Sequence, residues 1–177
     1  GLVEKAILCG SNGGQAGLMK IAAIVAKIIV TKKNRDQINS TMDKLGLGGY
    51  AKAIKDRKTD FDWLSYNEEN VQTYINDPYC GHGNTGGFWL GFTAGMKTIW
   101  KKENLAKISK EQKILLIAGE DDPVGQNGKG VKWLESAYKQ QGIKDVTMIL
   151  YPHMRHEILN EIGKEKPYND VKDFILK

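Results

Sequence analysis

Disulfide chemistry is nearly absent from this chain. Its 177 residues hold two cysteines, Cys9 in an apolar stretch and Cys80 in a glycine-rich loop. A pair so placed offers no disulfide framework, so a reducing, cytoplasmic setting is expected. Long apolar runs are missing too. The longest, Leu18 to Val30, is broken by Lys20 and Lys27 and is shorter than the ~20 residues that cross a bilayer. No secretory leader is visible. Charge of one sign is not concentrated anywhere. The net charge of +5 and the pI of about 9.0 would suit nucleic acid, but the lysines are scattered among acids and only Lys32 and Lys33 cluster. A solvated surface, with no nucleic-acid partner, is the expectation. Metal ligands are sparse as well. His153 and His156 do not form an HExxH helix, Cys80-Gly-His82 is too sparse for zinc, and Asp121-Asp122 lack further acids at a defined spacing. Neither a metal nor an organic cofactor is expected.

What is present suits one domain with one core. Three segments read as strands: Val3–Cys9, Lys113–Ala118 and Val146–Tyr151. KILLIA is an almost continuous apolar run, the pattern of a strand buried on both faces of a parallel sheet. Between the second and third strands, Val131, Leu134 and Tyr138 recur at helical spacing over 129–141, and Gly142 stops the pattern. That is a βαβ unit, with a right-handed crossover. A last helix is expected over 168–176, with Val171, Phe174 and Ile175 inward. The stretch 14–107 holds no convincing buried strand. It has helix-like pieces at 16–30, 35–45, 67–76 and 88–101, joined by the turns GLGGY and CGHGNTGG. Three parallel strands make a poor sheet on their own, so something outside the sequence is expected to complete it.

Three stretches could carry chemistry. AILCGSNGGQAG puts Ser11 on a glycine-rich turn between a strand and a helix, where it could be a nucleophile, part of a phosphate cradle, or neither. GEDDPVG, residues 119–125, follows KILLIA directly. YPHMRHE, residues 151–157, follows VTMILY directly. Open α/β sheets place their sites at the carboxyl ends of parallel strands. An acid and a histidine on consecutive strand tips form the last part of the order Ser…Asp…His. A carboxylate there fixes the imidazole tautomer and stabilises the imidazolium, and the imidazole takes the serine proton. Asp121 and Asp122 are rivals for the acid. Both could also be a polar turn before the next helix, and His156 could be a surface histidine. GQNGKGV lacks Walker spacing and its hydroxyl residue. Gly10-x-x-x-Gly14 with Tyr168-x-x-x-Lys172 roughly matches an NAD(P) oxidoreductase, but regular βα alternation is missing from the middle.

The stretches ILLIAGEDDPVGQNGKGVKWLESAYKQQGIKDVTMILYPHMRHEILNE and TDFDWLSYNEENVQTYINDPYCG resemble the carboxyl-terminal part of α/β-hydrolase-fold serine hydrolases. The branch is the one containing monoacylglycerol lipase-like, lysophospholipase-like and serine aminopeptidase-like enzymes. The resemblance covers nearly the whole chain, beginning with VEKAILCGSNGG as the sixth core strand. It implies a partial α/β-hydrolase fold: the last three parallel strands plus helices, with a helical cap insertion. The core would be 1–13 and 108–177, and the cap 14–107. The family's acid falls on Asp122, with Asp121 the near rival, and its general base on His156. The residue two before the histidine is usually small in that branch, and Met154 stands there. The G-x-S-x-G nucleophile belongs on a strand upstream of Gly1, which makes Ser11 the exit from the core into the cap.

The resemblance implies a serine hydrolase of carboxylic esters, of acyl-lipid type, whose partners are a small acyl ester and the amino-terminal half of the same fold. Leu18, Ile21, Ala22, Val25, Ile28 and Ile29 form one broad apolar face, which reads as cap packing or as a lid that transiently touches a membrane surface or lines an acyl pocket. Phe61, Trp63, Phe88, Trp89 and Trp100 read as cap core, with one or two on the pocket. The alternatives are a non-catalytic binding fragment that needs its amino-terminal half, and the NAD(P) oxidoreductase.

Overall fold

The computed structural model describes residues 3–177; residues 1 and 2 of the expected first core segment lie outside the described residues. Strands β1 (Lys5–Cys9), β2 (Lys113–Gly119) and β3 (Val146–Tyr151) form one parallel sheet in the order β1-β2-β3. The central position of β2 explains its composition. Ile114 to Gly119 are all buried, because both faces and both edges are covered. The two-residue period divides its side chains. Ile114, Leu116 and Ala118 join Val131, Leu134 and Trp100 on one face, while Leu115 and Ile117 join Tyr151, Met154 and Ile158 on the other. The first strand is two residues shorter than expected. Lys5 already pairs with Lys113, the first residue of β2, so Val3 and Glu4 have no ladder partner there.

The crossover helix α7 (Lys129–Gln140) buries Val131 and Leu134. It ends where Gly142 takes a φ of +81°. The Gly142 N–H then reaches the Lys139 carbonyl and the Ile143 N–H reaches that of Tyr138, which satisfies the last turn. The final helix α8 (Glu165–Leu176) starts three residues before the expected point. Pro167 sits in its first turn, where a missing N–H costs nothing. Val171 and Phe174 pack on the sheet, but Ile175 is 55% exposed rather than inward.

Between β1 and β2 the chain is helical: α1 (Ala16–Ile29), α2 (Ser40–Gly46), α3 (Gly48–Ala53), a 3₁₀ turn (Asp62–Leu64), α4 (Glu68–Asn76), α5 (Gly86–Ile99) and α6 (Lys102–Leu105). The helix expected over 35–45 begins only at Ser40. The Asn39 side chain accepts from the Met42 N–H and caps it there, while Ile38 bridges to Thr85. GLGGY is not a plain turn, since Gly48 opens α3. Capped by Thr85, α5 starts at Gly86, two residues ahead of the expected start, and the expected end at 101 falls beyond Ile99.

The packing of α1 meets the cap-packing expectation only in part: Val25 and Ile29 of the expected face pack against Ala26, Met42 and Trp89, whereas its larger part stays open. Small residues let α1 and α5 approach, so Ala23 and Ala26 are buried while Leu18, Ile21, Ile24 and Ile28 are each more than half exposed. Of the expected cap-core aromatics, Trp89 is buried with its Nε1 donating to Asp43. Trp100 belongs to the sheet core, and Phe88 is 46% exposed.

Candidate active site

The carboxyl ends of the three parallel strands meet on one rim. After β2 the chain turns through Glu120–Asp122, and after β3 through residues 152–156. Asp122 is fully buried. Its Oδ1 accepts the Val124 N–H at 2.8 Å, and its Oδ2 lies 3.0 Å from Nδ1 of His156. Left-handed backbone at Gln126, Asn127 and Gly128 folds the acid loop back, so the Asn127 N–H reaches the Asp122 carbonyl at 2.9 Å. The two adjacent acids point in different directions, and only Asp122 meets His156. Asp121 turns away and accepts the Tyr66 hydroxyl at 3.0 Å beside a cleft of about 330 Å³ that Arg155 and Asn127 also line.

Close backbone approaches set the histidine loop. A Cβ on Gly119 would stand 2.1 Å from the Met154 carbonyl oxygen and 2.3 Å from that of Arg155, so the loop rests directly on the end of β2. Gly10, at φ +60°, meets the imidazole from β1, and a Cβ there would stand 3.0 Å from Cε1. His153 takes a left-handed φ of 55°, which drops Met154 into the core. The position where the resemblance implies a small residue therefore holds Met154 as a buried anchor. Arg155 lies partly buried against residues 62–66, with Nη1 donating to the Asp62 and Ser65 carbonyls and its guanidinium 3.8 Å above the Tyr66 ring.

The Nδ1–carboxylate contact determines what the ring can do. A hydrogen bond to a carboxylate requires the proton on Nδ1, so the neutral ring carries its free lone pair on Nε2. Trp63 covers one side of the imidazole at 5.3 Å between centroids, and Tyr50 lies 5.4 Å beyond Trp63. Burial first, and the Asp122 charge second, push the Tyr50 hydroxyl above its ordinary range.

Two side chains with nucleophilic atoms, Cys9 and Ser11, lie at the rim end of β1. Desolvation and then the Asp122 charge hold the Cys9 thiol above its ordinary range, so it stays a neutral thiol near pH 7 and a weak nucleophile. Among the described residues no hydrogen bond runs from the Ser11 hydroxyl to His156. Instead the turn is braced to the acid loop, Gln126 Nε2 donating to Asn12 Oδ1 at 2.9 Å. Tyr168 and Lys172 lie on α8, and the Tyr168 hydroxyl donates to the Leu159 carbonyl. The described residues hold no cluster of three metal-ligating side chains, and none of their helices is long and apolar enough to cross a membrane.

Two contributors were not read as site residues in the sequence. Tyr66 engages Asp121, and Glu161 binds the loop beside His156. The HEILNE stretch places Glu161 five residues beyond the histidine, but nothing in that spacing says that its carboxylate turns back.

The fold is shared with solved hydrolases. A thermostable carboxyl esterase from Bacillus coagulans superposes with a TM-score of 0.82 at 27% identity, over 98% of this chain and 55% of that one. Monoacylglycerol lipase from Paleococcus ferrophilus gives 0.59 at 17% identity, over 97% and 58%. A soluble variant of the Saccharomyces cerevisiae monoglyceride lipase gives 0.59 at 16%, over 97% and 55%. The chain thus spans little more than half the length of the structures it matches. No curated protein matches it. The sequence profile described as serine aminopeptidase, S33 matches residues 2–163, so the chain belongs to that family of α/β hydrolases.

Proposed function

We propose that this chain is the acid–base portion of a serine hydrolase that cleaves carboxylic esters of acyl-lipid type, a monoacylglycerol or a lysophospholipid. The observation that carries the reading is the Asp122–His156 contact on the rim of two adjacent parallel strands. The nucleophilic serine comes from the amino-terminal half of the fold, before Gly1. His156 Nε2 takes the proton from that serine as its Oγ attacks the acyl carbonyl. Asp122 holds the ring and stabilises the imidazolium. The imidazolium then protonates the departing alcohol. Water, deprotonated by the same nitrogen, hydrolyses the acyl-enzyme.

In this reading residues 14–107 form the cap, and Trp63 and Tyr50 form an aromatic wall on which an acyl chain can lie. The exposed Leu18, Ile21, Ile24 and Ile28, flanked by Lys20 and Lys27, suit transient contact with an anionic lipid surface. Co-sedimentation of the full-length protein with vesicles containing an anionic phospholipid tests that contact. Ile21→Glu should abolish it, and unchanged binding would assign the face to the amino-terminal half instead.

A fluorophosphonate probe with intact-mass and peptide analysis tests the chemistry. The full-length protein should be labelled on one serine upstream of Gly1, and His156→Ala should suppress the labelling. Labelling at Ser11 would overturn the assignment of the nucleophile.

A further inference from the structure

Among the described residues two carboxylates are buried, and the proposed reaction uses only Asp122. The other, Glu161, is 2% exposed and has no ion-pair partner among those residues. A buried carboxylate is costly unless hydrogen bonds replace its lost hydration, and here they do. Glu161 Oε1 accepts the Arg155 N–H at 2.8 Å. Oε2 accepts the Ser65 hydroxyl at 2.7 Å and the Asn67 N–H at 3.3 Å, and the Tyr66 N–H lies 3.0 Å from both oxygens.

These donors come from two distant pieces of chain that flank the imidazole. Arg155 is the residue before His156. Ser65–Asn67 follows Trp63, which covers the ring. The same two pieces are joined by the Glu157 N–H to the Leu64 carbonyl at 2.8 Å and by Arg155 Nη1 to the Asp62 and Ser65 carbonyls. Glu161 is the group common to both. A carboxylate suits the place because it accepts at both oxygens. Glutamine has the same shape, but its NH₂ would face a donor, either the Arg155 N–H or the Ser65 and Tyr66 donors.

We propose that Glu161 is a positioning residue of this site: its carboxylate fixes the backbone that carries His156 over Asp122 and holds the Trp63 segment against the imidazole. It acts through Arg155 N and Ser65–Asn67 and touches no substrate. The inference rests on His156 being the general base. It also makes the cap a working part of the acid–base pair, because displacement of residues 62–67 passes through Glu161 to the histidine loop.

The test uses the full-length protein, p-nitrophenyl butyrate turnover and the rate of fluorophosphonate inactivation, all measured well below each variant's thermal midpoint. Glu161→Gln should lower kcat and the inactivation rate in parallel, by ~100-fold for a displacement of about 1 Å, with KM nearly unchanged. Ser65→Ala removes one donor and leaves Arg155 tied, so it should fold and lose less than Glu161→Gln does. A folded Glu161→Gln with parental kcat, or with its loss confined to KM, overturns the proposal. If Glu161→Gln does not fold, Ser65→Ala decides, and parental kcat in that variant overturns it. His156→Ala separates the two levels: parental activity there refutes the hydrolase reading itself, and the role of Glu161 with it.

Discussion

Gly119→Ala puts the geometry of the rim to a quantitative test. Where the backbone fits, Gly→Ala raises stability by about 0.4–1 kcal/mol, because alanine has less unfolded-chain entropy to lose. Gly119 is not left-handed, so conformation alone predicts that gain. Contact predicts the opposite. The new Cβ would stand 2.1 Å from the Met154 carbonyl oxygen and 2.3 Å from that of Arg155, where ordinary contact begins at 3.4 Å. Neither carbonyl has room to retreat: Met154 is buried in the core, and the Arg155 N–H is held by Glu161. The loop or the strand end must therefore shift by about 1 Å, an overpacking strain of ~1–3 kcal/mol. A shift of that size would stretch the 3.0 Å contact between His156 and Asp122 beyond hydrogen-bond range and lower kcat by ~100-fold. Urea unfolding and p-nitrophenyl butyrate turnover of the full-length variant read both effects. A variant as stable as its parent or more so, with kcat within about twofold of it, would refute the reasoning.

The same geometry leads to three further outcomes. Asp122→Asn should lower kcat by ~10³–10⁴-fold through loss of the oriented tautomer, whereas Asp121→Asn, which loses only the Tyr66 hydroxyl bond, should stay near parental; comparable losses in the two would undo the choice between them. Gly10→Ala, forced to hold a φ of +60° with its Cβ 3.0–3.1 Å from the ring, should cost ~1–3 kcal/mol in urea unfolding and depress kcat. Tyr151 is buried and donates to Asp170 at 2.9 Å, and burial followed by that bond raises its hydroxyl above the ordinary 10. The unfolded chain gives up this proton first, so the stabilising contribution is complete below pH 10 and drains away as pH climbs from there through the folded-state value. Tyr151→Phe should cost ~0.5–1.5 kcal/mol near neutral pH and show a shallower alkaline decline, checked by urea midpoints from pH 8 to 11; parallel curves would refute the link.

The strands and the meeting of Asp122 with His156 were legible because each rests on local pattern. VTMILY gave β3 to the residue, and an acid and a histidine following consecutive apolar runs had to reach the same rim. The end of α7 was legible for the same reason, since Gly142 alone suits its left-handed stop. What escaped depends on partners far along the chain. The start of β1 is set by Lys113, more than a hundred residues away. Of the broad apolar face of α1 only Val25 and Ile29 pack beside the buried alanines, while Leu18, Ile21 and Ile28 stay exposed, because fit to α5 overrides hydrophobic content. Trp63 was readable as an aromatic of the cap, but not as the cover on His156. Glu161 in HEILNE looks like one more acid on a solvated turn, and only the tertiary fold brings Ser65 and Arg155 to it.

One feature of the sheet bears on how such a molecule can vary. β1 and β2 pair in parallel, although the whole helical segment lies between Cys9 and Lys113. Closing a loop of about a hundred residues rather than ten costs only ~2 kcal/mol of extra chain entropy, since the penalty grows with the logarithm of length. The ladder is therefore almost indifferent to how long the intervening segment is. Helices can be lengthened, lost or exchanged there without disturbing the register that brings Asp122 to His156. The stretch that such exchanges must leave in place is the one that touches the rim, Asp62 to Asn67.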